Sequence, residues 1–412
     1  MKKIGIVFSG QGSQYIGMGK SMYNKYSEVK DVYEEASDIL KLDVKKLCFE
    51  DELHQLARTD FTQIAIYTTS MAMYQVYKKE FGLRPACLAG HSLGEYTALT
   101  VSNVISFQDG LKIVQARGRY MQEMIEKNGG CMKCIIGTGK GLVQNICQKY
   151  STEEGLLVVS NYNSPKQNVI SGDSACVEAA GAELTKLGAR VVEMEVKAPF
   201  HSPYMIEASK KLKDFLSQYQ LGDFSIPVIS NINARVYQSS NELYEMLPRQ
   251  MVKPVKWSDT MKYMEETGVD TILEIGPKAV LKNLVKRNCN GLDAYSFDSE
   301  EDVQSLREKL SRRKTDWKQF VETCIAEAIC CKNHNLNNEE LEHGFVSPYR
   351  AIKEQYYQIK DSGESVSLEL AKQSYEMLKS VLETKKVPEA ECESILDQLK
   401  LEGFEEYIKD WR

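Results

Sequence analysis

Gly90-His91-Ser92-Leu93-Gly94 is the stretch that decides how this chain is read. It fits G-x-S-x-G, the pattern of a serine carried on a sharp strand-to-helix turn. The flanks suit that geometry. Pro85–Ala89 is short and mostly apolar, like a buried strand, and Glu95–Val101 can start a helix. Glycine on either side lets a neighbouring backbone approach where a Cβ would clash. Such a turn exposes the serine hydroxyl and aims backbone N–H groups at whatever it attacks. Ser92 is therefore the candidate nucleophile, against the plainer alternative of a glycine-rich βα turn.

The rest of the chain is consistent with a cytoplasmic globular protein. Its 412 residues predict two or three domains. With 42% hydrophobic and 27% charged residues, the composition is ordinary for a soluble protein. No apolar run reaches membrane-spanning length, so no membrane partner is expected. The start, Met1–Phe8, reads as a first buried strand rather than a signal peptide. The 11 cysteines are scattered, as suits small buried thiols in a reducing compartment. Cys131-Met132-Lys133-Cys134 has C-x-x-C spacing, but no second pair or histidine cluster accompanies it, and no metal site is expected. Of the 52 Lys/Arg and 58 Asp/Glu, 17 and 23 lie in 301–412, so the first 300 residues carry 35 of each. No basic face suggests nucleic acid.

Periodicity organises the chain into three parts. Ile4–Phe8 is a strand followed by the glycine-rich turn Ser9–Gln14, and a helix is predicted over about Thr62–Lys79 with Ile64, Tyr67, Met71 and Tyr74 on one face. After the elbow comes a helix over Phe107–Lys127, and Thr271–Ile275 is a strand stopped by Gly276-Pro277. Strands alternating with helices predict an α/β domain with a parallel sheet covered on both faces. Residues 126–196 differ: strands at 131–137, 156–161, 167–171 and 190–196, with helices at 140–149 and 174–187, give the ferredoxin-like β-α-β-β-α-β order. This predicts a small subdomain inserted in a core formed by 1–125 and 197–298. Gly137–Lys140 lacks the spacing of a phosphate loop. Beyond Ser299–Asp302 and Ser311–Lys314, which read as surface connections, the apolar spacing of Trp317, Phe320, Val321, Cys324 and Ala328 is helical. A second helix is predicted from Pro348 to before Gly363 and a third over 366–386, making 311–412 an all-helical region.

A serine nucleophile needs a base. His54 sits in a charged stretch, His334 and His343 lie in the helical region, and His91 adjoins the serine, where side chains on a turn diverge. His201, in Ala198–Pro203 just after a predicted strand, is held between two prolines. It is the candidate base, against a loop histidine satisfied by backbone.

These segments resemble the malonyl-CoA:acyl-carrier-protein transacylases and the acyltransferase domains of polyketide synthases. The match is carried by Phe8–Gln14, Gly90–Gly94, Gln115–Gly118, Pro199–His201 and Glu274–Pro277, in the family's order across residues 1–298. Ser9 departs from it, since the family commonly has proline there. The resemblance implies an α/β-hydrolase-like large domain and transfer of malonyl from coenzyme A to an acyl carrier protein, with no bound cofactor. Ser92 would be acylated and His201 would be the base. The N–H groups of Gln11 and Leu93 would form the oxyanion hole, and the Gln250 carbonyl would orient His201. Arg117 would bind the malonyl carboxylate, with Met121 one turn further along the same face. An arginine suits that task because it binds a carboxylate through paired hydrogen bonds and stays charged.

Phe200 would face the acyl pocket. Polyketide acyltransferases that take malonyl tend to have phenylalanine before the histidine, and those taking methylmalonyl tend to have serine. Fatty-acid enzymes often carry a small residue there. The chain thus resembles free-standing acyltransferases that serve polyketide synthases, with fatty-acid synthesis as the alternative pathway. The plainer alternative is a core phenylalanine without a say in selectivity. A polyketide synthase joins the acyl carrier protein and the coenzyme A thioester as a candidate partner. Residues 311–412 fall outside the core resemblance. They are acidic, as carrier proteins are, which argues against a main carrier-docking face there; packing on the core, dimerisation and synthase binding stay open. Two other functions remain. An acyl hydrolase of the same fold would not need Arg117, and a non-catalytic docking protein would need neither Ser92 nor His201.

Overall fold

A computed structural model describes residues 3–153, 155–194, 198–311 and 317–399. They divide into two compact units, Met1–Glu80 with Pro85–Leu306, and Phe81–Arg84 with Arg307–Arg412. Residues 195–196 of the last predicted strand, 312–314 of a predicted connection and 400–412 of the predicted helical region lie outside the described residues.

The larger unit is built on strands β1 (Lys3–Phe8) and β2 (Cys87–Gly90). A second group, β3 (Cys131–Ile136), β4 (Leu157–Ser164), β5 (Gln167–Gly172) and β6 (Arg190–Glu193), lies in mid-chain. Strands β7 (Val269–Ile275) and β8 (Asp293–Ser296) complete it. Strands β2, β1, β7 and β8 pair in that order, all parallel. In β1 the five residues Ile4–Phe8 are buried in succession, as expected of a parallel strand covered on both faces. Val7, Ala89 and Ile272 pack on one face with Trp257, Met261 and Leu284 from helices Trp257–Glu266 and Val280–Asn288. On β1 the alternate residue Phe8 meets Tyr74 of helix Thr59–Glu80 edge to face, with ring centroids 6.2 Å apart.

That helix differs from its expectation. Sixteen of its 22 residues are buried, on all sides rather than along one stripe. Ile64, Ile66, Met71, Met73 and the alanines supply apolar surface, and the buried threonines and serine between them are small enough for the helix to sit inside the domain. Short β8 and the helices Lys20–Lys25, Ser27–Leu40 and Val44–Phe49 add to the predicted elements; Val29, Val32, Tyr33 and Ala36 form the buried stripe of the longest of them.

Strands β4, β5, β3 and β6 form a separate antiparallel sheet in that order. Helices Lys140–Tyr150 and Ser174–Lys186 cover it, through a core that includes Ile135, Val143, Ile170 and Leu184. This is the ferredoxin-like order. The preceding helix, Phe107–Asn128, runs on to Asn128 and ends where the Gly129 N–H donates to Ile125 O (3.0 Å). The insertion's first strand therefore follows Gly129-Gly130. Cys131 and Cys134 lie on β3, three residues apart, so the pleat sends their thiols to opposite faces.

In the second unit, helices Trp317–Cys330, Ser347–Ser362, Leu368–Thr384 and Glu389–Leu399 surround Phe320, Val321, Cys324, Tyr375, Leu378 and Val381. Pro348 sits in the first turn of its helix, and Gly363 closes that helix at φ 73°. The division between units falls at Leu306/Arg307, inside helix Glu300–Ser311, and the Arg307 guanidinium lies 5.5 Å from the Phe81 ring centroid. Among the described residues no helix is long and apolar enough to cross a membrane.

Candidate active site

The elbow is built by close approach of backbones. Strand β2 ends at Gly90, and helix Gly94–Val101 begins four residues on. A Cβ on Gly94 would stand 2.1 Å from Phe8 O, and one on Gly90 would stand 1.9 Å from Gly94 C. No other residue fits either position. Between them Ser92 is forced to φ 51°, a left-handed conformation that costs a non-glycine residue on the order of 1–3 kcal/mol. The Ser92 N–H donates to Asn231 Oδ1 (2.7 Å), and Asn231 Nδ2 donates to Gly90 O (2.7 Å), so one asparagine pins both ends of the turn.

The loop carrying Gln11 runs alongside. The His91 N–H donates to Phe8 O (3.1 Å), and a Cβ on Gly10 would meet His91 O at 2.3 Å. Gln11 and Leu93 therefore lie on adjoining turns, one after β1 and one after β2. Ser9, the departure from the family pattern, donates its hydroxyl to Glu274 Oε1 (2.9 Å). That bond ties the end of β1 to the Glu274–Pro277 segment. Burial pushes the Glu274 carboxyl up to about 7.

His201 is buried, at φ 53°, in the loop after the insertion. Its Nε2 lies 2.8 Å from Ser92 Oγ, and its Nδ1 lies 2.7 Å from Gln250 O. A carbonyl can only accept, so Nδ1 carries the proton and Nε2 is left to accept one from the serine. A backbone carbonyl thus stands where a carboxylate stands in a three-residue triad. Burial, and next the nearby Arg117 guanidinium, push His201 down to about 3, so the free site holds a neutral imidazole.

Arg117 comes from helix Phe107–Asn128 and is 1% exposed. One terminal nitrogen donates to Gln63 Oε1 (2.8 Å). The other donates to Ser92 Oγ (3.0 Å) and Gln250 Oε1 (3.0 Å). Its guanidinium carbon lies 5.2 Å from the Tyr96 ring centroid. Every one of these bonded acceptors is a neutral oxygen. A buried cation without a bonded carboxylate is costly, and here it lies against the candidate nucleophile.

The remaining candidates fall around this centre. Met121 is buried, and its sulfur accepts from Gln63 Nε2 (3.4 Å), so it braces the residue that braces Arg117. Phe200 is buried, and its carbonyl accepts from Ser171 Oγ of β5 (2.7 Å). His91 turns away from the serine: its Nε2 is 2.9 Å from Asn163 Oδ1 on β4, and its ring meets Trp257 edge to face. His334 and His343 lie in the second unit, and His54 lies in an exposed turn.

Sequence reasoning missed Asn231, Gln63, Glu95 and Tyr237. Glu95 stands directly after the elbow segment, where the pattern predicts only the start of a helix. It is fully buried, with Oε1 accepting from Tyr237 OH (2.5 Å) and Oε2 from Gln250 Nε2 (2.5 Å).

An elbow after a parallel strand, serving a histidine backed by a carbonyl, is the architecture of an acyltransferase. The chain belongs to the acyl transferase domain family, which it matches over residues 6–330. It is 35% identical over 391 residues to a malonyl CoA-acyl carrier protein transacylase of Bacillus subtilis, covering 94% of this chain and 98% of that one. It resembles the crystal structure of malonyl CoA-acyl carrier protein transacylase from Clostridium perfringens, at 36% identity and TM-score 0.72, over 75% of this chain and 97% of that one. A type II PKS acyl-carrier protein in complex with its malonyl-transacylase is a further neighbour, at 34% identity and TM-score 0.72, over 74% of this chain and 100% of that one.

Proposed function

We propose that the chain transfers malonyl from malonyl-CoA to the phosphopantetheine thiol of an acyl carrier protein, through a malonyl ester of Ser92. One observation carries this: the buried Arg117 guanidinium, bonded only to neutral oxygens, lies 3.0 Å from Ser92 Oγ. The carboxylate carbon of a malonyl ester is three bonds from that oxygen. A malonyl group therefore brings its charge to the cation, where an acetyl group brings none.

In the first half-reaction Ser92 Oγ attacks the thioester carbonyl while its proton passes to His201 Nε2. The N–H groups of Gln11 and Leu93 receive the oxyanion; the Ser92 N–H is already taken by Asn231. The carbon–sulfur bond breaks, and coenzyme A leaves with the proton from His201. In the second half the carrier thiol gives its proton to His201 and attacks the ester, and Ser92 Oγ leaves and recovers that proton. No cofactor takes part in these steps. Phe200, beside His201, favours malonyl over branched acyl groups and so service to a polyketide pathway. Residues 1–125 and 197–298 form the catalytic core, 126–196 the insertion and 311–412 an appendage. Scattered thiols suit a cytoplasmic setting.

The test is intact-protein mass spectrometry after brief exposure to malonyl-, methylmalonyl- and acetyl-CoA. A malonyl adduct on the native chain, absent from Ser92→Ala, is the expected result. Labelling of Ser92→Ala, or release of free malonate with no transfer to carrier protein, would point to another nucleophile or to a hydrolase.

A further inference from the structure

The Gln250 side chain joins the two halves of the site, and its orientation has an identifiable cause. Its backbone carbonyl accepts from His201, while its side-chain carbonyl accepts from Arg117 (3.0 Å). The NH2 end of the same amide faces three oxygens: Glu95 Oε2 (2.5 Å), Ser92 O (2.9 Å) and, at the limit of a hydrogen bond, Asn231 Oδ1 (3.5 Å). A guanidinium only donates, so an amide turned the other way would set donor against donor. The Ser92 carbonyl is a shared anchor, since it also accepts from the Glu95 N–H (3.2 Å). Glu95 supplies the short second bond.

We propose that Glu95 is a positioning residue for acyl-group selection: by holding the Gln250 amide it keeps Arg117 aimed at the acylated serine. This rests on Arg117 being the malonyl-carboxylate site. Glu95 lies in the first turn of the elbow helix, so the element that carries Ser92 also carries the residue that sets its selectivity. Glu95 is itself fixed from the other side, by Tyr237 OH (2.5 Å) and the Asn231 N–H (3.3 Å). Burial pushes its carboxyl up to about 7. Protonated or ionised, it keeps an acceptor oxygen for the amide, so the positioning persists across neutrality.

The experiment compares kcat/KM for malonyl-CoA and acetyl-CoA, with holo carrier protein as acceptor, in Glu95→Ala, Glu95→Gln, Gln250→Met and Arg117→Ala. Glu95→Ala should lower malonyl transfer roughly tenfold or more, chiefly through KM, and leave acetyl transfer within about threefold. Glu95→Gln retains an acceptor oxygen and should restore most of the malonyl preference. Gln250→Met deletes the amide but not the backbone carbonyl, so its ratio of malonyl to acetyl transfer should fall as in Glu95→Ala, even if Glu95→Ala does not fold; a loss common to both acyl groups reports instead on the histidine that this residue orients. Equal losses for both acyl groups, or an unchanged ratio in Gln250→Met, would overturn the proposal. If Arg117→Ala also leaves the ratio unchanged, the carboxylate site itself is wrong. If it collapses the ratio while the Glu95 and Gln250 variants do not, only the positioning role fails.

Discussion

Two buried cations, one in each unit, show how the same physical problem is solved for different ends. Lys385, 4% exposed, lies in the helical unit. Its Nζ donates to Ala328 O (2.7 Å) and Cys331 O (3.2 Å), at the C-terminal end of helix Trp317–Cys330, and lies 4.1 Å from the Phe345 ring centroid. Carbonyls at a helix end carry its partial negative charge, and here Ala328 O also accepts from the weakly donating Cys331 thiol (3.6 Å). Lys385 therefore completes a helix end. Arg117 is as deeply buried, yet its acceptors are two amide side chains and a serine hydroxyl. None of these is a helix-end carbonyl, and the cation can exchange a neutral side-chain acceptor for a better one such as a carboxylate. A cation fixed to backbone holds structure, and a cation held by exchangeable side chains at a strained serine suits the ligand role proposed for Arg117.

The sharpest way to break this contrast is at the serine itself. Ser92→Ala should abolish the acyl-enzyme and lower transfer by roughly 10^4-fold or more, and His201→Ala should be nearly as damaging because the pair acts as a unit. Next comes the cation. Arg117→Ala should lower malonyl transfer by about 2–5 kcal/mol and spare acetyl transfer. Lys385→Met should do the reverse: the ratio of malonyl to acetyl transfer stays put, while denaturant unfolding shows a loss of about 1–3 kcal/mol from unpaired carbonyls. A shifted ratio in Lys385→Met, or equal losses for both acyl groups in Arg117→Ala, would erase the distinction.

Acidity sharpens it further. His201 is held down to about 3, first by burial and then by the Arg117 charge. A histidine with a depressed pKa keeps its basic form until pH falls through that lowered value. The kcat/KM for acetyl-CoA, which reports the free enzyme, should show no acid limb near the ordinary histidine value of about 6.5. In Arg117→Ala the limb should move to higher pH, because the largest depressing influence after burial is gone. A limb at the ordinary value in the native chain would mean that His201 is solvated or is not the base.

Much of this site is written locally. The elbow residues, the β-α-β-β-α-β order and the helix from Pro348 to Gly363 follow from glycine positions and periodicity over short windows. Ser92, His201 and Arg117 stand in recognisable segments, and they meet through hydrogen bonds of 2.8 and 3.0 Å. What escaped was relational. Asn231 and Tyr237 follow the unremarked stretch Ile226–Ile229, and nothing in their own neighbourhoods says that one pins the elbow and the other holds Glu95. Helix Thr59–Glu80 was expected to bury one face, because apolar spacing reports Ile64, Tyr67 and Met71 but is blind to buried Thr62, Gln63 and Thr68. Gln63 is buried because Arg117 needs its oxygen, a reason that lies 54 residues away.

Phe200 offers the finest test of the contrast between fixed and exchangeable parts. Its backbone is fixed: the carbonyl is held by Ser171 on β5, and the next residue, His201, is locked to Gln250 O. Its ring is the adjustable element, since changing the side chain leaves both bonds intact. Phe200→Ser should therefore keep the Ser92–His201 pair and open space for an α-methyl branch. One methyl in such a pocket is worth roughly 1–3 kcal/mol of discrimination, or about tenfold and upward. The ratio of methylmalonyl to malonyl transfer should rise by that amount even if total activity drops, measured by competition between the two coenzyme A esters on one carrier protein. An unchanged ratio in a folded, active variant would move branch selectivity to Met121 or Leu93. It would also leave service to a fatty-acid pathway as good a reading as service to a polyketide one, because Phe200 is the residue on which that preference rests.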